Sequence, residues 1–232
     1  MNAQERLWAG QRAAMDGRHE EALEHFVWYH DHALEEEPAL YGVRLSFALA
    51  YWRELGDNYP KALTALERTR DAKSKALLNG DGDRALFHDV ESINEALGQL
   101  KKTHALYVQL ARQRPDLARN CAALALPAIV AAGDFKLAEK LMPEPIDRIR
   151  RLAAELNDSI ERQRSKPRSM QIAARRALIH NYAEDVDLVM SILSARSRAA
   201  DAAEVRHFAV KLLASPSARK SVKKCLVAGS AS

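Results

Sequence analysis

A short turn recurs four times along the first 140 or so residues. It reads Asp16-Gly17-Arg18, Leu55-Gly56-Asp57, Leu97-Gly98-Gln99 and Ala132-Gly133-Asp134, with the glycines 39, 42 and 35 residues apart. A small residue follows each glycine after five or six positions (Ala22, Ala62, Thr103, Ala138), and a large one four positions later (Phe26, Leu66, Tyr107, Met142). Four residues is about one helical turn, so each small/large pair lies on one face of a helix, where a neighbouring helix can approach and be filled against. Glycine suits the turns because it closes a helix in a left-handed conformation without a Cβ clash. Self-similarity at this period means stacked structural units, none of which can bury its apolar face alone.

The segments flanking the glycines read as helices. Leu7, Trp8 and Met15 precede the first turn; Ala22, Leu23, Phe26, Val27, Tyr29 and Ala33 follow it, up to Pro38. Further pairs are expected over residues 39–55 and 60–78, 84–97 and 100–113, and 116–132 and 134–142, with Pro60 and Pro115 at helix starts. Composition agrees: Ala, Leu, Glu, Arg and Lys dominate, aromatics are only 6%, and there are just nine glycines and eight prolines, too few for the turns of an all-β chain. With 47% hydrophobic residues the chain can repay the entropy of folding, and an all-α fold without sheet is expected.

This pattern resembles the tetratricopeptide repeat, a helix pair with a small residue, an aromatic four later and a closing proline. Gly10, Gly17, Ala22 and Phe26 carry the resemblance in the first unit, with Pro38 about one turn late. The second has Trp52, Leu55-Gly56-Asp57, Tyr59, Ala62 and Leu66; the third Gly98, Thr103, Tyr107 and Pro115; the fourth Gly133-Asp134-Phe135, Ala138, Met142 and an early Pro143. The resemblance implies a right-handed α–α superhelix over residues 1–144, whose concave groove, lined by the first helix of each pair, binds a peptide or protein. The family's inward positions fall on Gln4, Leu7, Gln11 and Met15, on Ser46, Ala50 and Arg53, on His88, Ser92 and Glu95, and on Asn120, Ala123, Pro127 and Val130. Members that grip a carboxylate tail use a lysine and an asparagine where this chain has Leu7 and Gln11, which argues against that specificity.

Beyond Pro143-Glu144-Pro145 the period is lost, and residues 145–232 read as a basic helical region that caps the array or forms its own bundle. One long helix carries Ile146, Ile149, Leu152, Ala153, Leu156 and Ile160 and ends at Arg164-Ser165-Lys166-Pro167. Shorter helices are expected over 169–182, 184–196, 200–214 and 216–227, with Gly229-Ser230-Ala231-Ser232 fraying. Residues 1–144 hold 18 Lys+Arg against 22 Asp+Glu, and residues 145–232 hold 17 against 9. Arg151, Arg164, Arg168 and Arg176 mark a candidate basic face, and Arg219, Lys220, Lys223 and Lys224 form a second group. Such a field attracts phosphate, so nucleic acid or another acidic partner is the alternative to groove binding. Only Tyr182 and Phe208 are aromatic in this region, however, too few to stack single-stranded bases.

Nothing in the sequence points to catalysis, a cofactor or a metal. His25, His30 and His32 do not share one helical face, and His19-Glu20-Glu21 lacks the second histidine of a zinc-protease motif. Glu21/His25 and His32/Glu36 read as surface pairs. Gly80-Asp81-Gly82-Asp83-Arg84-Ala85 matches a dinucleotide fingerprint by letter but follows a helix rather than a strand, and reads as a flexible linker. Cys121 and Cys225 cannot build a disulfide framework, which fits a reducing, cytoplasmic setting. The longest apolar run, residues 121–132, is too short to span a membrane.

Overall fold

The computed structural model describes residues 1–163, 165 and 167–228, and among these it is helical with no strand. Arg164 and Lys166 of the expected basic stretch, and the terminal Gly229-Ser230-Ala231-Ser232, lie outside the described residues. The chain divides into two compact units, Met1–Ala132 and Gly133–Ser232.

The first unit begins with α1 (Ala3–Met15), opened by a reciprocal cap between Asn2 and Glu5. It turns at Gly17 (φ 77°) into α2 (His19–Glu36). A 3₁₀ turn (Pro38–Leu40) leads to α3 (Tyr41–Leu45), α4 (Phe47–Asn58) and α5 (Pro60–Asn79). After the loop at residues 80–83 come α6 (Arg84–Ala96), α7 (Leu100–Gln113) and α8 (Pro115–Ala131). Neighbours in sequence pack together: α1 on α2, α4 on α5, α5 on α6, α6 on α7 and α7 on α8. The alternate helices α1, α4, α6 and α8 also touch in succession, as do α5 and α7. Every small/large residue of the repeated pattern within this unit is buried: Ala22, Phe26, Ala62, Leu66, Thr103 and Tyr107 are at most 2% exposed.

Two details depart from the sequence expectation. Gly17, Gly98 and Gly133 hold positive φ and end helices, but Gly56 does not; α4 runs through it to Asn58. A Cβ at Gly56 would collide with the side chain of Leu63, so this glycine lets α4 and α5 come together rather than turning the chain. Gly10 plays the same part between α1 and α2, where a Cβ would meet Phe26 at 2.8 Å. The helix expected over residues 39–55 is broken at Ser46, whose hydroxyl donates to the carbonyl of Gly42 at 2.6 Å and competes with the helical ladder there.

The loop read as a flexible linker is held. Asp83 caps α6 by accepting from the amides of Ala85 and Leu86, and the Arg114 guanidinium donates to the carbonyls of Leu77, Asp81 and Gly82 at 2.9–3.1 Å. Arg114 stands at the turn before α8, so one cation ties two successive turns.

The second unit holds α9 (Phe135–Leu141), α10 (Pro145–Gln163), α11 (Arg168–Ala195), α12 (Ala199–Lys211) and α13 (Pro216–Ala228). α11 is the hub, packing against α9, α10, α12 and α13. The two helices expected over 169–182 and 184–196 are thus one. No glycine or proline interrupts Ile179, Tyr182, Ala183, Val186, Val189, Ile192 and Leu193, which form one continuous buried stripe. Tyr182 donates to the carbonyl of Ala209 at 2.9 Å, and Asn157 closes α12 by bonding both Leu212 O and Ala214 N. Ala138 and Met142, the fourth small/large pair, are buried in this unit.

Candidate functional site

The successive packing of α1, α4, α6 and α8 leaves four concavities on the first unit, each sharing lining residues with the next. The first, about 230 Å³, lies between α1 and the α3–α4 segment and includes Gln4, Leu7, Trp8, Gln11, Tyr29 and Phe47. Gln11 and Tyr51 continue into the second, about 420 Å³, which reaches Met15, Glu54 and Asn58. Glu54 leads into the third, about 530 Å³, where Ser46, between α3 and α4, and Arg53 and Asp57 of α4 face Glu95 of α6. Ser46 and Glu95 are shared with the fourth, about 390 Å³, completed by Tyr41, His88, Glu91 and Pro127.

Of the residues singled out from sequence, Gln4, Leu7, Gln11, Ser46, Arg53, His88 and Glu95 line this row. Leu7 is mostly buried at 5% exposure, so it forms floor rather than a reachable contact. Arg53 is exposed but already paired with Asp57 at 3.2 Å. Asn120 lines none of the four; its carbonyl accepts from Arg84 Nε at 3.2 Å. Sequence reading missed the aromatic walls. Trp8 is 52% and Phe47 62% exposed, and Met15 is 86% exposed, which is unusual for side chains of this size. Phe47 is the first residue of α4, directly after the break at Ser46, while Trp8 and Met15 stand on α1.

Electrostatics vary along the row. At the first concavity Tyr29 is wholly buried, and its hydroxyl has no hydrogen-bond partner among the described residues; burial raises its pKa. At the fourth, the Tyr41 hydroxyl and His88 Nδ1 are 2.9 Å apart, and His88 Nε2 is 3.9 Å from Glu91. Burial and then the positive charge of Arg84 lower the His88 pKa. Burial, and after it the charge of Glu95 one turn away, push Glu91 up to about 7. Pro127 of α8 has no N–H, which removes the helical donor for the carbonyl of Ala123 on the same wall.

Beneath the row lies a buried ionic node. Asp89 of α6 accepts from both terminal guanidinium nitrogens of Arg44 and from Lys73 Nζ at 2.7 Å, with Arg44 and Asp89 side chains only 6% and 7% exposed. Burial alone would raise the Asp89 pKa, but its bonds to Arg44 and Lys73 outweigh that and hold it below the usual carboxylate range. Arg44 also donates to the carbonyl of His30 at 3.2 Å. His30 itself is buried, edge-on to Trp52 at 6.0 Å, and driven down to about 3 by burial and by the charges of Arg44 and Lys73. The other histidines of that segment serve separate ends. His25 lies 3.9 Å from Glu21, and His32 bonds Glu35 at 3.2 Å rather than Glu36, which accepts from Ala3 N. Among the described residues, no group of three or more His, Cys, Asp or Glu is arranged to hold a metal ion.

In the second unit Arg151 on α10 and Arg168 and Arg176 on α11 are exposed. Other cations of that stretch are engaged: Arg148 with Asp185 at 3.1 Å, Arg150 with Asp147 at 2.7 Å, Arg175 with the hydroxyls of Ser215 and Ser217. Among the described residues, no helix is long and apolar enough to cross a membrane. No protein-family model, curated protein or solved structure matches this chain.

Proposed function

We propose that this protein is a non-catalytic interaction module in which a tetratricopeptide-like, right-handed array in the first unit binds a peptide or protein partner along α1, α4, α6 and α8. The observation that carries the reading is the row of shared concavities with Trp8, Met15 and Phe47 standing exposed beside it. Large exposed apolar side chains around a cleft are what hot spots of binding look like, and tryptophan is over-represented among them. A helix-pair array supports such a row because each unit adds one wall. Its two cysteines, both free, accord with a reducing, cytoplasmic setting.

The test starts with peptides selected from a random display library on the full chain, followed by affinity measurements on variants. Trp8→Ala and Phe47→Ala should each weaken binding by at least about fivefold, on the order of 1 kcal/mol. Arg168→Glu with Arg176→Glu should change it by less than about twofold, since neither residue lines the row of concavities and exposed charges are screened in physiological salt. Selected peptides that bind the Trp8/Phe47 double variant as tightly as the parent would defeat the proposal. Binding lost only on the basic-face reversal would move the partner to the cationic helices.

A further inference from the structure

The second unit carries a cleft of different chemistry, independent of the groove above. It lies between α12 and α13 and measures about 530 Å³. Val210 of α12 and Leu226 and Val227 of α13 supply its apolar lining; Leu226 is buried, but Val227 is 60% exposed. Arg206, Lys211, Arg219 and Lys223 stand around this floor. Two of these cations are anchored, Arg206 to the carbonyl of Leu226 at 3.2 Å and Arg219 to that of Leu213 at 2.6 Å. Lys211 and Lys223 are exposed and form no ion pair with a carboxylate among the described residues. From Val205 to Ser232 the sequence contains six Lys and Arg and no Asp or Glu; the two carboxylates of α12, Asp201 and Glu204, precede this stretch, and Asp201 is paired with Arg198 at 2.6 Å.

We propose that this cleft is a docking site for an acidic amphipathic helix of a partner protein. The lining runs over residues 203–211 of α12 and 219–227 of α13, about 13 Å at the helical rise, room for roughly two to three turns of a third helix. Such a helix would lay its apolar stripe on Val210, Leu226 and Val227 and bring Glu or Asp on its flanks to Lys211 and Lys223. Charge complementarity selects the acidic partner, and the apolar floor selects a helix over a phosphate backbone. Duplex nucleic acid would use the cations and leave the valines uncovered, and a single strand would find no stacking platform in a cleft whose only ring is His207. A bilayer surface, being flat, would not reach the floor of a cleft.

The experiment uses the full chain and a fluorescein-labelled synthetic peptide of about four helical turns, with Leu at i, i+3, i+4 and i+7 and Glu on the flanks. A scrambled peptide of the same composition is the control. Fluorescence anisotropy should give a Kd below about 100 µM at low salt for the first and no saturable binding for the second. Lys211→Glu with Lys223→Glu should weaken the complex at least about tenfold, and Val227→Asp should do so separately, with circular dichroism showing that both variants fold. Absence of binding up to about 1 mM would overturn the proposal. So would indifference to Val227→Asp combined with charge-dependent binding of a DNA duplex or of anionic vesicles, which would make this a phosphate surface. Salt-sensitive self-association of the chain, abolished by Val227→Asp, would give the cleft to a second copy instead.

Discussion

A buried and a partly buried group of the first unit titrate out of place in opposite directions, and their effects on stability oppose each other. His30 is held neutral down to about 3, so between that pH and the ordinary histidine value of about 6.5 the unfolded chain binds a proton that the folded one refuses. Its contribution is present above about 6.5 and is lost as pH falls, at up to about 1.4 kcal/mol per pH unit. Glu91 is the mirror case. Its folded pKa is raised to about 7, so above the unfolded carboxylate value of about 4.3 the folded chain keeps a proton that the unfolded one has released. Stability therefore falls as pH rises from about 4.5 to about 7, at a similar maximum slope, for a total of about 2 kcal/mol once its residual solvent contact is allowed for. Across about pH 4.5–6.5 the two slopes oppose each other. All three tryptophans, Trp8, Trp28 and Trp52, lie in the first unit, so tryptophan fluorescence in urea reports its unfolding alone. Relative to the parent, His30→Gln should lose stability progressively as pH rises through this window, and Glu91→Gln should gain it. The double variant should lie between the two single variants in slope and close to the parent, whatever constant offset each substitution adds. Single variants whose stability runs parallel to the parent's at every pH would refute the assignment of these two protons.

Gly56→Ala should destabilise the first unit by about 1–3 kcal/mol because its methyl group meets Leu63 across the α4–α5 contact, measured as a lowered urea midpoint. Ser197 is the one non-glycine residue with positive φ (60°) among those described, and Ser197→Gly should raise the thermal midpoint by relieving about 0.5–1 kcal/mol. Burial raises the Cys121 thiol to about 11 while Cys225 is partly exposed, so a thiol reagent at neutral pH should label one equivalent, at Cys225. Labelling of both before unfolding would show that α8 opens more readily than its packing implies.

Most helix positions and the buried small/large pairs were legible in the sequence because each depends on local chemistry: helical spacing and a proline at the first turn. Long-range choices were not. Gly56 looks like Gly17 and Gly98 in its flanking residues, and only the position of Leu63 on the next helix separates a packing glycine from a turn glycine. Likewise, Asn181 and Tyr182 gave no local reason for α11 to continue, yet the buried stripe from Ile179 to Leu193 keeps it whole.

The groove was legible where position along a helix decides it, and illegible where tertiary contacts decide it. Counting inward positions reached Gln11, Ser46, His88 and Glu95, but the count could not foresee that Phe47 faces out after the break at Ser46. Nor could it place the polar interior behind the groove. Arg70 falls one turn after Ala62 and Leu66 on the same stripe of α5, a place reserved for apolar residues, and that misfit is the signal a sequence reading can use. The structure resolves it by burying the guanidinium against Asn94 Oδ1 at 2.9 Å and Gln99 Oε1 at 2.7 Å, while Asn94 also donates to Thr103. Arg70 keeps Asp71 of its own helix as its charge partner at 2.5 Å, but its bonds to Asn94 and Gln99 form only when the two helix pairs are in register, at about 1–3 kcal/mol for each buried bond lost. Arg44 with Asp89 ties α3 to α6, and Arg70 with Asn94 ties α5 to α6. The apolar contacts of this unit are interchangeable in kind; these two arginines are not, because each ties one polar position of α6 to one position of a neighbouring helix.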